Sequence, residues 1–170
     1  MKFTSAEASK LLRTLLEEHT NLVNSERSLD TFGAFANEDL DSIRPQYNYS
    51  DYQKKLADLE KKIRTIKHAI NVFNVNTILP NTDGVTIDQA LVYLPQLTAR
   101  KQKLGVMARR LSKERLQSGR TTTAAVSEFR YANYEIASAE ADYKKTLEEI
   151  RTLQSALDLV NNTEPFEIDI

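Results

Sequence analysis

The sequence predicts a mainly α-helical protein, folded as an elongated antiparallel four-helix bundle with coiled-coil-like seams. Apolar residues recur every three or four positions over four long segments, which is the spacing of one helix face. Glycine and proline are scarce, with four of each in 170 residues, whereas an all-β chain needs many such turn residues. Apolar residues make up 41% of the chain, enough for a core, so we expect a single helical domain over residues 1–170.

The first helix is predicted over residues 5–29. Thr4 and Glu7 have the spacing of a capping box, in which each side chain bonds to the other residue's backbone N–H group. Apolar periodicity is then lost over residues 30–49, which contain Gly33 and Pro45. We expect a long loop there, and a loop of that length in a compact domain is typically functional, mobile or ordered against a partner.

The second helix, predicted over residues 51–76, has the clearest period. Ser50 and Gln53 have the spacing of a capping box at its start. Its apolar residues alternate spacings of four and three without a break, which keeps one stripe facing a partner helix. The residues of this seam are Tyr52, Leu56, Leu59, Ile63, Ile66, Ile70 and Phe73.

The third helix is predicted over residues 87–118. Thr86 and Gln89 supply its capping box, and Gly119 marks its end. Pro95 lies inside the helix, where it donates no backbone hydrogen bond and crowds the preceding turn, so we expect a kink there.

An extended arm is predicted over residues 120–136, between the third and fourth helices. This stretch begins with three threonines and shows no clean helical stripe, which favours a short strand or extended segment. The fourth helix is predicted over residues 138–161, and Pro165 follows its end.

The formal net charge of −1 is unevenly distributed along the chain. Residues 1–51 carry nine acids and five bases, whereas residues 86–120 carry eight bases and two acids. Most charge runs are solvated or paired, so we expect this basic run to pair with acids of the bundle or of another subunit, in preference to nucleic acid. The predicted interaction surface comprises Arg100, Lys103, Arg109, Arg110, Lys113 and Arg115.

Residues for enzyme chemistry are few and unfavourably spaced. Cysteine is absent, which excludes disulfides and thiolate metal sites. A di-iron carboxylate bundle needs a glutamate three residues before each histidine, but Leu16 and Thr65 precede His19 and His68. The sequence contains no Gly-x-Ser-x-Gly motif and no phosphate-binding glycine loop. We therefore predict no catalytic residue, no metal, no cofactor and no small-molecule substrate.

Asparagines crowd the predicted end of the second helix. The cluster consists of Asn71, Asn74, Asn76 and the following Thr77. Asparagine caps helix carbonyls and tolerates the left-handed conformation, so this cluster is typical of a turn. A ligand-binding cluster is the alternative.

Four stretches of the sequence carry a family resemblance. They are residues 49–74, which close on Ile-Asn-Val-Phe-Asn, and residues 84–91, 127–131 and 161–164. In this order, over nearly the whole chain, they resemble the septicolysin-like family of uncharacterised bacterial helical proteins. The chain departs from the family pattern at Phe73, where threonine is usual, at Asn162, where an aromatic residue is usual, and at Pro95. The resemblance implies a helical fold and self-association, and the family name adds membrane-active cytolysis as an alternative.

These observations predict a non-enzymatic structural or interaction protein that forms a homo-oligomer. No signal peptide is visible, and no stretch approaches the roughly 18 apolar residues of a membrane span. We therefore expect a cytoplasmic protein whose partners include neither membrane nor nucleic acid. Two alternatives stay open: a cytolysin, from the resemblance, and a nucleic-acid-binding bundle that uses the basic third helix.

Overall fold

The structure, a computed structural model, describes residues 1–115 and 128–170. These residues form mainly helices, with short antiparallel strand pairs. In chain order the elements are β1 (Lys2–Thr4), α1 (Ser5–Arg27), α2 (Leu40–Ile43), α3 (Tyr49–Asn76), α4 (Ile87–Ala108), β2 (Lys113–Arg115), β3 (Phe129–Tyr131), α5 (Ile136–Thr163) and β4 (Pro165–Glu167). The predicted helical class is confirmed, whereas the elongated four-helix bundle and its coiled-coil-like seams stay predictions.

The chain divides into two compact units. The first comprises Met1–Thr77 and Asp158–Ile170, and the second comprises Ile78–Leu157. The single domain over residues 1–170 therefore stays a prediction, and each unit is described by itself.

In the first unit, α1 packs antiparallel to α3. Ser25 of α1 lies 3.2 Å from the Tyr52 hydroxyl near the start of α3, and His19 lies 3.4 Å from Glu60 further along α3. The heptad stripe of α3 supplies the apolar side of this contact. The buried core consists of Ala8, Leu15, Leu59, Ile66 and Ile168.

The core of the first unit is completed by a strand pair that the sequence did not predict. β1 pairs with β4 antiparallel, with Phe3 opposite Phe166. The Phe166 ring stacks on Phe73 of α3, with the ring centroids 4.5 Å apart. Strands of three residues are too short to show alternation of apolar and polar residues. In addition, β4 begins at Pro165, which in the sequence marks only the end of the last helix.

In the second unit, α4 and α5 also run antiparallel. The Tyr93 hydroxyl donates to Glu149, whereas Gly105, later in α4, lies against Tyr143, earlier in α5. A Cβ at Gly105 would lie 3.2 Å from the Tyr143 ring, so glycine is what allows this close approach.

The helix starts follow the expected capping chemistry with one exception. The capping boxes of Thr4 with Glu7 and of Thr86 with Gln89 are confirmed. However, α3 begins at Tyr49 and is capped by Asn48, because the Asn48 side chain accepts from the N–H of Asp51. The Ser50 cap is therefore wrong.

The remaining helix bounds differ modestly from the predictions. α1 ends at Arg27, two residues before position 29. α5 extends past both ends of the predicted 138–161 segment, and the loop predicted over 30–49 contains the short helix α2. Asp39 caps α2 by accepting from the N–H of Asp41 at 3.2 Å, which explains this extra turn.

Candidate interaction surface

The basic residues that follow α4 lie on a two-stranded antiparallel ribbon. β2 pairs with β3 in the register Lys113 to Tyr131, Glu114 to Arg130 and Arg115 to Phe129. We call residues 109–115 and 128–131 the arm. This definition replaces the extended arm predicted over residues 120–136. Opposed residues share a face of a ribbon, and successive residues alternate between faces. One face of the arm, the cation–aromatic face, therefore carries Lys113, Arg115, Phe129 and Tyr131.

The Lys113 ammonium lies over two aromatic rings. Its Nζ is 4.1 Å from the centroid of the Phe129 ring and 5.5 Å from that of Tyr131. A cation over an aromatic ring at an exposed site stabilises by about 0.5–1 kcal/mol. Tyr131 is still 61% exposed and Leu111 is 69% exposed. Exposed aromatic rings beside arginines are characteristic of partner-binding surfaces.

The helix predicted over residues 87–118 is too long, because α4 ends at Ala108 and the arm begins directly after it. Two carbonyls of its last turn accept side-chain donors. Arg109 Nε donates to the Gly105 carbonyl at 3.0 Å, and the Tyr134 hydroxyl donates to the Met107 carbonyl at 2.8 Å. These bonds give hydrogen-bond donors to carbonyls at the end of the helix, where no further helical turn follows.

The structure separates the six basic residues that were predicted to form one helical surface. They are Arg100 and Lys103 on α4, Arg109 and Arg110 directly after it, and Lys113 and Arg115 in β2. The arm thus brings together four of the six and adds Arg130, which lies outside the predicted surface. The residues of the predicted extended segment at 120–127 lie outside the described residues.

The basic residues of the arm have no carboxylate partner within the described chain. The ion pairs among residues 1–115 and 128–170 all lie elsewhere. Residues 116–127 contain no aspartate or glutamate. The expected pairing of this basic run with acids of its own bundle is therefore not seen in the described part of the chain, and pairing with another subunit stays a prediction.

The asparagine cluster is divided between helix capping and a cleft. Asn76 donates to the Val72 carbonyl at 2.9 Å, as the turn interpretation predicts. Asn76 and Thr77 line a cleft of about 370 Å³ with Phe73 and three further residues of α3 and two of the C-terminal segment. Asn71 and Asn74 do not line it. The Oδ1 atom of Asn74 is buried with no hydrogen-bond partner in the described residues.

A second cleft, of about 390 Å³, lies in the second unit beside the 81–85 turn. Tyr93 and Glu149 line it and bond to each other through the Tyr93 hydroxyl. This hydrogen bond, together with burial, raises the pKa of Tyr93 above its usual value. The neutral phenol donates to the carboxylate and so links α4 to α5. Nucleophiles are activated by a lowered pKa, whereas the pKa of Tyr93 is raised.

The histidines are placed apart. His19 is half-buried beside Glu60, and His68 is exposed on α3. Within residues 1–115 and 128–170, no three His, Asp or Glu side chains come close enough to hold a metal ion. No helix in the same residues combines the length and the apolarity needed to cross a membrane.

Sequence reasoning missed the aromatic half of the arm. Phe129 and Tyr131 stand two residues apart, which is the spacing of one face of a strand. Together with the predicted extended segment, that spacing is a signal that could have identified this strand face. The partner strand was missed because Lys113–Arg115 precede Gly119, the residue taken as the end of the third helix.

No protein-family model matches the chain, and no curated protein sequence matches it. The fold is similar to the crystal structure of a functionally unknown conserved protein from Corynebacterium diphtheriae. The two share a TM-score of 0.57 and 16% sequence identity, over 98% of this chain and 100% of that chain. At that identity the likeness shows the fold alone. The resemblance to the septicolysin-like family stays a prediction.

Proposed function

We propose that this chain is a non-enzymatic helical protein that acts as a structural or interaction module and self-associates through the arm. The observation that carries the proposal is the cation–aromatic face, which is exposed and whose cations form no salt bridge among residues 1–115 and 128–170. Exposed cations with no partner contribute little to folding but guide and orient association. Exposed aromatic side chains supply much of the binding energy in protein interfaces.

Sedimentation of the purified protein tests this proposal. We expect the average mass to rise with concentration and the Tyr131→Ala variant to associate about thirtyfold more weakly, as truncation of an interface hot spot costs about 2 kcal/mol. Leu159→Ala is the matched control, because Leu159 is an apolar side chain of α5 that is 54% exposed. A strict monomer at high micromolar concentration would contradict the proposal.

A second candidate function is the binding of single-stranded nucleic acid by the arm. Proteins that bind single strands combine cations that follow the phosphates with aromatic rings on which bases stack, and Lys113, Arg115, Phe129 and Tyr131 offer this combination. Fluorescence anisotropy with a labelled single-stranded oligonucleotide tests it. Binding should weaken steeply with salt and be reduced by Tyr131→Ala. The absence of binding at low salt would rule this function out.

The cytolysin alternative depends on the family resemblance, and the cytoplasmic location likewise stays a prediction. Release of a trapped dye from liposomes tests membrane activity directly. If no dye is released at any lipid composition, this alternative fails.

A further inference from the structure

A second exposed surface has the opposite charge to the arm. Residues 28–48, between α1 and α3, form what we call the acidic loop. Its carboxylates are Asp30, Glu38, Asp39 and Asp41, and its one base is Arg44, giving a formal charge of −3. Its exposed large apolar side chains are Phe32, Phe35, Leu40 and Ile43. Phe35 alone is 77% exposed, so this loop presents apolar surface to solvent instead of covering a core.

Hydrogen bonds within the acidic loop give it a defined shape. The Phe35 N–H donates to the Glu38 carboxylate at 2.7 Å, and the Glu38 N–H donates to the Phe35 carbonyl at 3.0 Å. The Tyr47 hydroxyl ties the end of the loop to Glu26 of α1 at 2.7 Å. A surface that is shaped before its partner arrives loses less conformational entropy on binding.

The charges decide which surfaces can meet. The described residues of the arm carry five bases against Glu114 and Glu128, a formal charge of +3. Two arms in contact would bring like charges together, and so would two acidic loops. An arm against an acidic loop brings opposite charges together and at the same time covers apolar side chains on both sides.

We propose that the arm of one copy of this protein docks on the acidic loop of a second copy. The inference rests on the proposed self-association and names its two surfaces. Because the surfaces differ, one such contact leaves the acidic loop of the first copy and the arm of the second copy available. These two surfaces can pair with each other in a twofold dimer that has two arm–loop contacts, or with further copies in a closed ring or an open chain.

Two variants separate the surfaces. The arm variant carries Lys113→Glu and Arg115→Glu, and the loop variant carries Phe35→Ser and Asp41→Lys. These side chains are exposed, so neither variant removes a buried contact, and unchanged far-UV circular dichroism verifies folding. The control carries Lys61→Glu and Lys62→Glu, the same charge change as the arm variant at exposed positions of α3.

Sedimentation of each variant alone, and of an equimolar mixture, provides the test. We expect each variant alone to associate at least about tenfold more weakly than the wild type, whereas the control does not change. In the mixture, the intact arm of one variant meets the intact loop of the other. The expected product is a heterodimer that grows no further, since its remaining arm and loop are both altered.

The alternatives give different results. If the loop variant associates as strongly as the wild type, or if the mixture yields no heterodimer, the arm–loop contact is wrong although self-association stands. If the wild type is a monomer at high micromolar concentration, the proposed function fails together with this inference. If the arm variant loses only oligonucleotide binding and still self-associates, the arm binds nucleic acid and the inference is overturned.

Discussion

Replacement of Ile66 by alanine tests whether the heptad stripe of α3 stabilises the first unit. Ile66 is fully buried in the cluster formed with Ala8, Leu15, Leu59 and Ile168. The substitution removes the Cγ1, Cγ2 and Cδ1 carbons, at about 0.8 kcal/mol for each buried carbon. The cavity that remains adds to this transfer cost. We therefore expect the free energy of unfolding to fall by about 3–4 kcal/mol.

Urea unfolding followed by far-UV circular dichroism measures this loss. The transition midpoint should fall while the slope is unchanged, because the surface exposed on unfolding stays the same. Ile66→Val should lose only about 0.5–1.5 kcal/mol. Val75→Ala is the matched control in the same helix, because Val75 is 55% exposed, and it should change stability by less than about 0.5 kcal/mol. A loss below about 1 kcal/mol for Ile66→Ala would refute the assignment of Ile66 to a close-packed core.

Three further predictions follow from local contacts. Thr4→Ala removes the hydroxyl half of the capping box with Glu7 and should lower stability by about 1 kcal/mol in the same urea titration; an unchanged midpoint would contradict that cap. Tyr134→Phe removes the hydroxyl that donates to the Met107 carbonyl and should lower the free energy of unfolding by about 1 kcal/mol in the same titration; an unchanged midpoint would show that this bond does not stabilise the end of α4. The hydrogen bond to Glu26 raises the pKa of Tyr47 from 10.0 to about 12, so the folded state keeps the phenol proton up to a higher pH than the unfolded state. Its stabilising contribution is complete below pH 10 and is lost as pH rises through about 12, so the wild type should lose stability relative to Tyr47→Phe in that range, and parallel curves would refute it.

The helices could be predicted because their information is local. Thr4 with Glu7 and Thr86 with Gln89 mark helix starts by spacing alone, and the buried residues Leu59 and Ile66 fall on the predicted seam. Capping and amphipathic periodicity depend on neighbours within one or two turns.

The arm could be predicted only in part, because its strands depend on contacts between distant residues. Lys113 and Arg115 lie before Gly119, the predicted helix end, but the pairing with Tyr131 and Phe129 determines their conformation. Tertiary contacts of this kind override weak local preferences. The charge of the basic run was visible in the sequence. The position of the Phe129 and Tyr131 rings beside it could be known only from the register of the ribbon.

The first unit is built from two segments that are far apart in the sequence, and this affects its folding during synthesis on the ribosome. The second unit is one continuous stretch, Ile78–Leu157, and all its residues emerge in succession. The first unit is formed by residues on both sides of that stretch, because it buries Ile168 in its core and pairs β1 with β4. The core of the first unit is therefore incomplete while the second unit is translated, because Ile168 does not yet cover the apolar face of α3. Domains that emerge as continuous stretches fold as they appear, so the second unit should be native first. The first unit is then completed after the second, although most of its residues precede the second unit in the chain.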